Sequence, residues 1–249
     1  MWSARQPLRR ADRDARLTPP DDIVSRLDHI RSRIDRAASA VNRQPGDVRL
    51  VAVSKTFGLD HIRAAAAVGQ KDFGENRVQE ALQKMSGSAD LLVRWHLIGT
   101  LQSNKARRAA ERFAWIHSVD SLHLLQHLED AASAASTRPN LLVQVDLAGE
   151  AAKHGAEPSA VPAIFEAARA CRAVRLVGLT VLPPWSEDPE AARPYFRQLW
   201  QLRDRLKSSG VPGAMLQDLS MGMSHDFEVA IQEGATMVRI GTAIFGKRS

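Results

Sequence analysis

Leu50-Val51-Ala52-Val53-Ser54-Lys55-Thr56 carries an uninterrupted apolar run straight into a lysine, and Gly58 follows shortly after. A short apolar run closed by turn residues is the pattern of a strand buried on both faces of a parallel sheet. Lys55 then stands at the C-terminal end of that strand, where parallel α/β folds place their chemistry. A lysine held there and partly desolvated has its amine pKa lowered. It is then available to condense with an aldehyde as a Schiff base. Lysines at strand ends more commonly snorkel to solvent, so the surrounding sequence has to support the assignment.

Working outward, the same apolar pattern recurs. Strands are predicted at 49–54, 71–73, 94–98, 114–118, 141–145, 176–181, 214–219 and 237–240. Helical stretches near 59–69, 76–86, 102–112, 121–136, 157–172, 189–208 and 226–233 separate them. Strict alternation argues for a parallel sheet, and eight units argue for a closed barrel. Ile23, Leu27, Ile30 and Ile34 recur at helical spacing, which adds a leading helix over 21–42. The predicted fold is a single TIM-type (β/α)8 barrel over 21–249 with an extra N-terminal helix. Residues 1–20 are predicted to be a disordered basic extension, holding five arginines against two aspartates.

Composition narrows the function classes. The chain has 249 residues, 44% hydrophobic and 25% charged, which is ordinary for a globular protein with a full core. No apolar run approaches a membrane span. One cysteine, Cys171, excludes an intramolecular disulfide and a Cys-rich zinc module. It fits a reducing compartment, and a cytoplasmic location is expected. Half of the net charge of +6 lies in the N-terminal extension, so no nucleic-acid partner is inferred from it.

The predicted strand ends collect polar and glycine-rich residues. They include Lys55, Asn76, Asp146, the stretch Ser220-Met221-Gly222-Met223-Ser224, and Gly241-Thr242. The last two stretches can turn N–H groups and hydroxyls toward a phosphate, which barrel enzymes often bind there. Gly241 to Lys247 imitates a P-loop, but Arg248 takes the place of the magnesium-binding hydroxyl. His123 and His127 lack the glutamate of a zinc-protease helix. Arg239 interrupts an apolar strand. It reads either as a donor to a ring-nitrogen acceptor or as half of an internal ion pair with Glu75 or Asp146.

Longer stretches sharpen these readings. Val53-Ser54-Lys55-Thr56, Phe73-Gly74-Glu75-Asn76-Arg77-Val78-Gln79-Glu80, Trp95-His96-Leu97-Ile98-Gly99-Thr100, His117-Ser118-Val119-Asp120 and Val238-Arg239-Ile240-Gly241-Thr242 occur in order. With Leu219 to Ser224, the chain resembles the pyridoxal phosphate homeostasis proteins, a barrel family related to the N-terminal domain of alanine racemase. The resemblance runs from about residue 21 to 246. It implies that Lys55 holds pyridoxal 5′-phosphate (PLP) as a Schiff base. It implies that Ser224, Gly241 and Thr242 bind the phosphate and that Arg239 faces the pyridine nitrogen. Asn76 and His96 would line the cofactor face, and Met221 would pack near the ring. Two positions depart from the family pattern, Thr180 in Gly178-Leu179-Thr180 and Asp146.

The implied role is buffering or delivery of PLP, with apo-PLP enzymes as partners. The alternative is a weak PLP-dependent amino-acid racemase. A two-base racemase needs a second acid/base opposite the lysine, and the only tyrosine, Tyr195, falls on a predicted helix. An arginine at the ring nitrogen also weakens the cofactor as an electron sink. A carrier without a proficient catalytic group is therefore expected, as a monomer or weak dimer with no metal.

Overall fold

A computed structural model describes residues 20–149 and 155–246. The remaining residues, including most of the predicted basic extension, lie outside the described part. Eight parallel strands close into a barrel in chain order. They are β1 (Arg49–Val53), β2 (Asp72–Glu75), β3 (Arg94–Leu97), β4 (Trp115–Val119), β5 (Asn140–Val145), β6 (Arg175–Val181), β7 (Asp218–Met223) and β8 (Met237–Ile240). Closure comes from β1 pairing with β8, with Arg49 opposite Met237 and Ala52 opposite Ile240. The predicted fold class is the observed one.

Nine helices accompany the strands among the described residues. They are α1 (Pro20–Ser39), α2 (Leu59–Ala67), α3 (Val78–Gly87), α4 (Ala106–Arg112), α5 (Leu122–Ala135), α6 (Val161–Ala168), α7 (Arg193–Ser208), α8 (Phe227–Gln232) and α9 (Thr242–Phe245). The leading helix α1 buries Ile23, Leu27, Ile30 and Ile34, the stripe read from the sequence. It packs on α2, α8 and α9. Arg33 of α1 grips Glu228 of α8 with two hydrogen bonds of 3.0 and 2.8 Å. Ser121 caps α5 by accepting the Leu124 N–H.

Strand side chains alternate between two apolar cores. Val51, Trp115, Leu142, Val177 and Met237 fill the barrel interior. Ala52, Phe73, Leu97, Ile116, Leu141 and Leu219 instead belong to the layer under the helices. This double burial is why the strands read as continuous apolar runs. One strand was misplaced by the sequence pattern. The seventh is 218–223 rather than 214–219, because Gly213–Met215 forms a short 3-10 turn after Pro212. The strand begins only where Asp218 meets Gly178 of β6.

Candidate functional site

A cavity of about 830 Å³ opens at the C-terminal ends of the strands. That is within the size range of small-molecule sites. Six of the residues singled out from sequence share its wall, namely Lys55, Asn76, Ser224, Arg239, Gly241 and Thr242. They come from four different strand ends or the loops behind them, so only barrel closure brings them together.

His96 and Met221 are elsewhere. Met221 lies inside β7, fully buried in the core under the helices, and is not in the cavity wall. Alternation along β7 puts Leu219 and Met221 on the outer face and turns Ser220 between them into the barrel. His96 points into the barrel interior, where it is fully buried and stacks on Trp115.

The loops after β7 and β8 make a small cradle. The Ser224 hydroxyl accepts the Gly241 N–H at 3.2 Å and the Ala243 N–H at 3.5 Å. Gly222 has φ +91°, and a Cβ there would lie 2.9 Å from the Phe227 Cα. Only glycine permits this close passage of the β7 end over α8. Thr242 opens α9 beside the same cavity.

Arg239 enters the cavity from below, held among the described residues by neutral oxygens. Its Nη1 donates to Thr180 Oγ1 (2.9 Å), Ser220 O (2.7 Å) and Ser220 Oγ (2.6 Å). Its Nη2 donates to Val181 O at 2.9 Å. The internal ion pair considered from sequence does not form. Glu75 is engaged by Ser54 and Lys84, and Asp146 accepts the N–H groups of Ala148 and Gly149. Burial lowers the Arg239 pKa to about 10, so the guanidinium stays charged at neutral pH. Thr180, one of the two departures from the family pattern, is therefore a direct support of the arginine.

A buried polar chain continues behind Arg239. Ser220 Oγ meets His117 Nδ1 at 3.0 Å, His117 Nε2 meets His96 Nδ1 at 3.0 Å, and His96 Nε2 meets Asp72 Oδ1 at 2.9 Å. The donors fix the tautomers. The Asp72 carboxylate can only accept, so with both imidazoles neutral the bonds run toward it and the serine proton goes to His117 Nδ1. His117 then donates from Nε2 to His96, and His96 donates from Nε2 to Asp72. Both imidazoles are neutral in this arrangement. Burial lowers the pKa of each, and for His117 the nearby His96 and Arg239 add to the effect. Burial pushes the Asp72 carboxyl up, but hydrogen bonds from His96 and Arg94 outweigh it and hold it below its ordinary range. Arg94, half-exposed, closes the far end with two bonds of 2.7 and 2.6 Å.

Several cavity residues escaped the sequence reading. His225 lines the cavity, and its Nε2 meets the Glu187 carbonyl at 2.7 Å. Asp226 accepts the Met223 N–H, and burial raises its pKa. Leu182, Pro184 and Trp185 form an apolar wall, with Trp185 78% exposed at the rim. The Pro183-Pro184 pair was the one available signal for that wall. His123 and His127 bond to each other on an exposed helix face, and Tyr195 is absent from the cavity wall. Among the described residues no group of His, Cys, Asp and Glu is arranged to hold a metal ion, and no helix is long and apolar enough to cross a membrane.

Comparison with known proteins gives one consistent answer. Residues 25–249 match the model of the alanine racemase N-terminal domain. The pyridoxal phosphate homeostasis protein of Pseudomonas aeruginosa is 44% identical over 226 residues, covering 91% of this chain and 96% of that one. The Aquifex aeolicus protein of the same name is 42% identical, covering 91% and 99%. PipY of Synechococcus elongatus PCC7942, whose structure was solved with PLP bound, superposes with a TM-score of 0.81 at 40% identity, covering 90% of this chain and all of that one. Alanine racemase of Clostridium difficile 630 shares the fold at 15% identity and a TM-score of 0.71, covering 92% of this chain and 57% of that one.

Proposed function

This chain belongs to the pyridoxal phosphate homeostasis proteins, and on that premise we propose that it binds PLP at the barrel mouth and buffers or delivers it, with Lys55 as the covalent anchor. The observation that carries the proposal is the convergence of an amine, a hydroxyl-and-amide cradle and a buried guanidinium on one cavity. When bound, PLP supplies an aldehyde that condenses reversibly with a primary amine as water leaves. Each feature has its complement in that molecule. Lys55 meets the aldehyde. Ser224, Gly241 and Thr242, with the Ala243 N–H, meet the phosphate through uncharged donors. Arg239 donates to the pyridine nitrogen, and Asn76 lines the side nearest β2.

Arg239 also argues for a carrier over an enzyme. A guanidinium held by neutral oxygens is a fixed donor, so it leaves the ring nitrogen unprotonated and the electron sink weak. Tyr195 offers no second base, since it stands on α7 away from the cavity wall. Apo-PLP enzymes are the proposed recipients, and the cytoplasm, where they work, is the proposed location. A monomer or weak dimer fits an anchor on an open barrel mouth.

The test begins with an absorbance spectrum of the protein with PLP, followed by borohydride reduction and peptide mapping. A visible band that reduction traps on Lys55, and that Lys55→Ala loses, is the expected result. No band, or label spread over surface lysines, overturns the proposal. Delivery is tested by mixing the loaded protein with an apo-PLP enzyme. Activity should return in proportion to the PLP lost by the carrier. Turnover of free amino acids without transfer would favour the racemase reading instead.

A further inference from the structure

Lys55 sits in a turn that its own sequence does not favour. Thr56 has φ +70°, a left-handed conformation that a β-branched residue rarely adopts. Something outside the turn has to hold it. Glu80 of α3 does so from one side, its Oε1 accepting the Thr56 N–H at 2.7 Å. Lys84 does so from the other side, its Nζ donating to Ser54 O at 2.8 Å. The same Nζ donates to Glu80 Oε1 and Glu75 Oε1, each at 2.8 Å. Ser54 Oγ also donates to Glu75 Oε1 at 2.6 Å. An ammonium has three donors, so Lys84 is fully engaged in bridging the residues on either side of Lys55.

We infer that Glu80 and Lys84 are positioning residues that clamp the Ser54-Lys55-Thr56 turn, so that the Lys55 amine is presented to the cavity in one fixed orientation. The inference rests on the proposed role of Lys55. The clamp is charge-assisted. Burial raises the Glu80 pKa, but hydrogen bonds from Lys84 and the Thr56 N–H outweigh it and hold the carboxyl low. Glu75 goes the other way, raised by burial despite Lys84 and Ser54. Lys84 lies 2.8 Å from a carboxylate oxygen of each, so it ties Glu80 to Glu75 as well as to the turn. Glu80 also lines a second, polar cavity beside the first, so it is open to substitution without disturbing the barrel core.

The experiment uses the full chain and four variants, Glu80→Leu, Glu80→Gln, Thr56→Gly and the double variant Thr56→Gly/Glu80→Leu. Two quantities are read. One is the rate at which acetic anhydride labels Lys55 in the ligand-free protein, measured by peptide mass. The other is the rate at which loaded protein loses PLP on dilution. Glu80→Leu should change Lys55 labelling severalfold and speed PLP loss about tenfold, as expected for one lost charge-assisted hydrogen bond. Glu80→Gln, which keeps an acceptor, should fall between. Glycine accepts the left-handed turn without strain, so the effect of Glu80→Leu should shrink in the Thr56→Gly background. A lower melting temperature with both rates unchanged would overturn the inference, as would equal effects in the threonine and glycine backgrounds. If Glu80→Leu fails to fold, Glu80→Gln and Thr56→Gly decide the same question. Wild type that traps no PLP on Lys55 would instead sink the carrier proposal, and ligand-free labelling would still judge the clamp.

Discussion

Two buried cations, one behind the Lys55 turn and one in the cavity wall, are held in opposite ways. Lys84 of α3 is compensated where it stands, by Glu75 and Glu80. Among the described residues, Arg239 of β8 rests on hydroxyl and carbonyl oxygens. Asp226 acts on it only through space. The field of Lys84 is therefore cancelled within its own cluster, while that of Arg239 reaches the cavity it lines. The difference separates a cation that holds the backbone in shape from one available to a ligand.

The largest effect that tests this contrast is on stability. Lys84→Met leaves two carboxylates without their cation, and one of them, Glu75, is wholly buried. Breaking such a cluster costs about 3–5 kcal/mol, to be read as a lower urea midpoint. Arg239→Met strands neutral oxygens instead and removes an uncompensated charge. Its cost should be smaller, about 1–3 kcal/mol, while its effect on PLP retention should be the larger of the two. Equal losses of stability would break the comparison.

The next effect follows from what supports Arg239. His96 and His117 are buried and neutral, with pKa values lowered from 6.5 by burial. A histidine with a depressed folded pKa contributes stability that is fully present above its unfolded value. That stability is lost as pH falls from about 6.5 toward the folded values. The slope reaches about 1.4 kcal/mol per pH unit for each such group. Asp72 also has a lowered pKa, so its contribution disappears only below the ordinary carboxylate range. Urea unfolding at pH 7.5 and 5.5 should show a loss of about 1 kcal/mol or more in the wild type. His117→Gln should flatten that difference. An unchanged slope would mean that the imidazoles do not stay neutral in the folded barrel.

How much of this was legible in the sequence follows the same divide. Lys55 was readable because a buried strand announces itself by its apolar run and the lysine closes it. Arg239 was readable because a cation inside an apolar strand is conspicuous. Lys84 was not read, although Glu80 and Lys84 are four apart and pair along one helix face. That spacing looks like a surface ion pair, and its burial depends on Ser54, thirty residues earlier, coming close. His117 and Ser220 were missed as supports of Arg239 for a different reason. Which inward-pointing residues meet depends on barrel closure, which brings His117 of β4 and Arg239 of β8 to Ser220 of β7. Met221 falls outside the expected cavity because it shares the outer face of β7 with Leu219. Barrel order and the cavity's location were fixed by periodicity, whereas the inner polar chain depended on contacts made only after closure.

The smallest effect distinguishes shared support from single support. Thr180 Oγ1 accepts from Arg239 and donates to Ser220 O at 2.7 Å. Thr180→Val keeps the shape and removes both bonds. Arg239 retains Ser220 Oγ, Ser220 O and Val181 O. The loss of stability should be only about 0.5–1.5 kcal/mol, with PLP still trapped on Lys55 and released modestly faster. If Thr180→Val instead matched Arg239→Met in PLP retention, the neutral cradle would not be redundant. Thr180 would then set the arginine's position by itself, and the contrast with Lys84, which rests on two carboxylates, would have to be redrawn around that one hydroxyl.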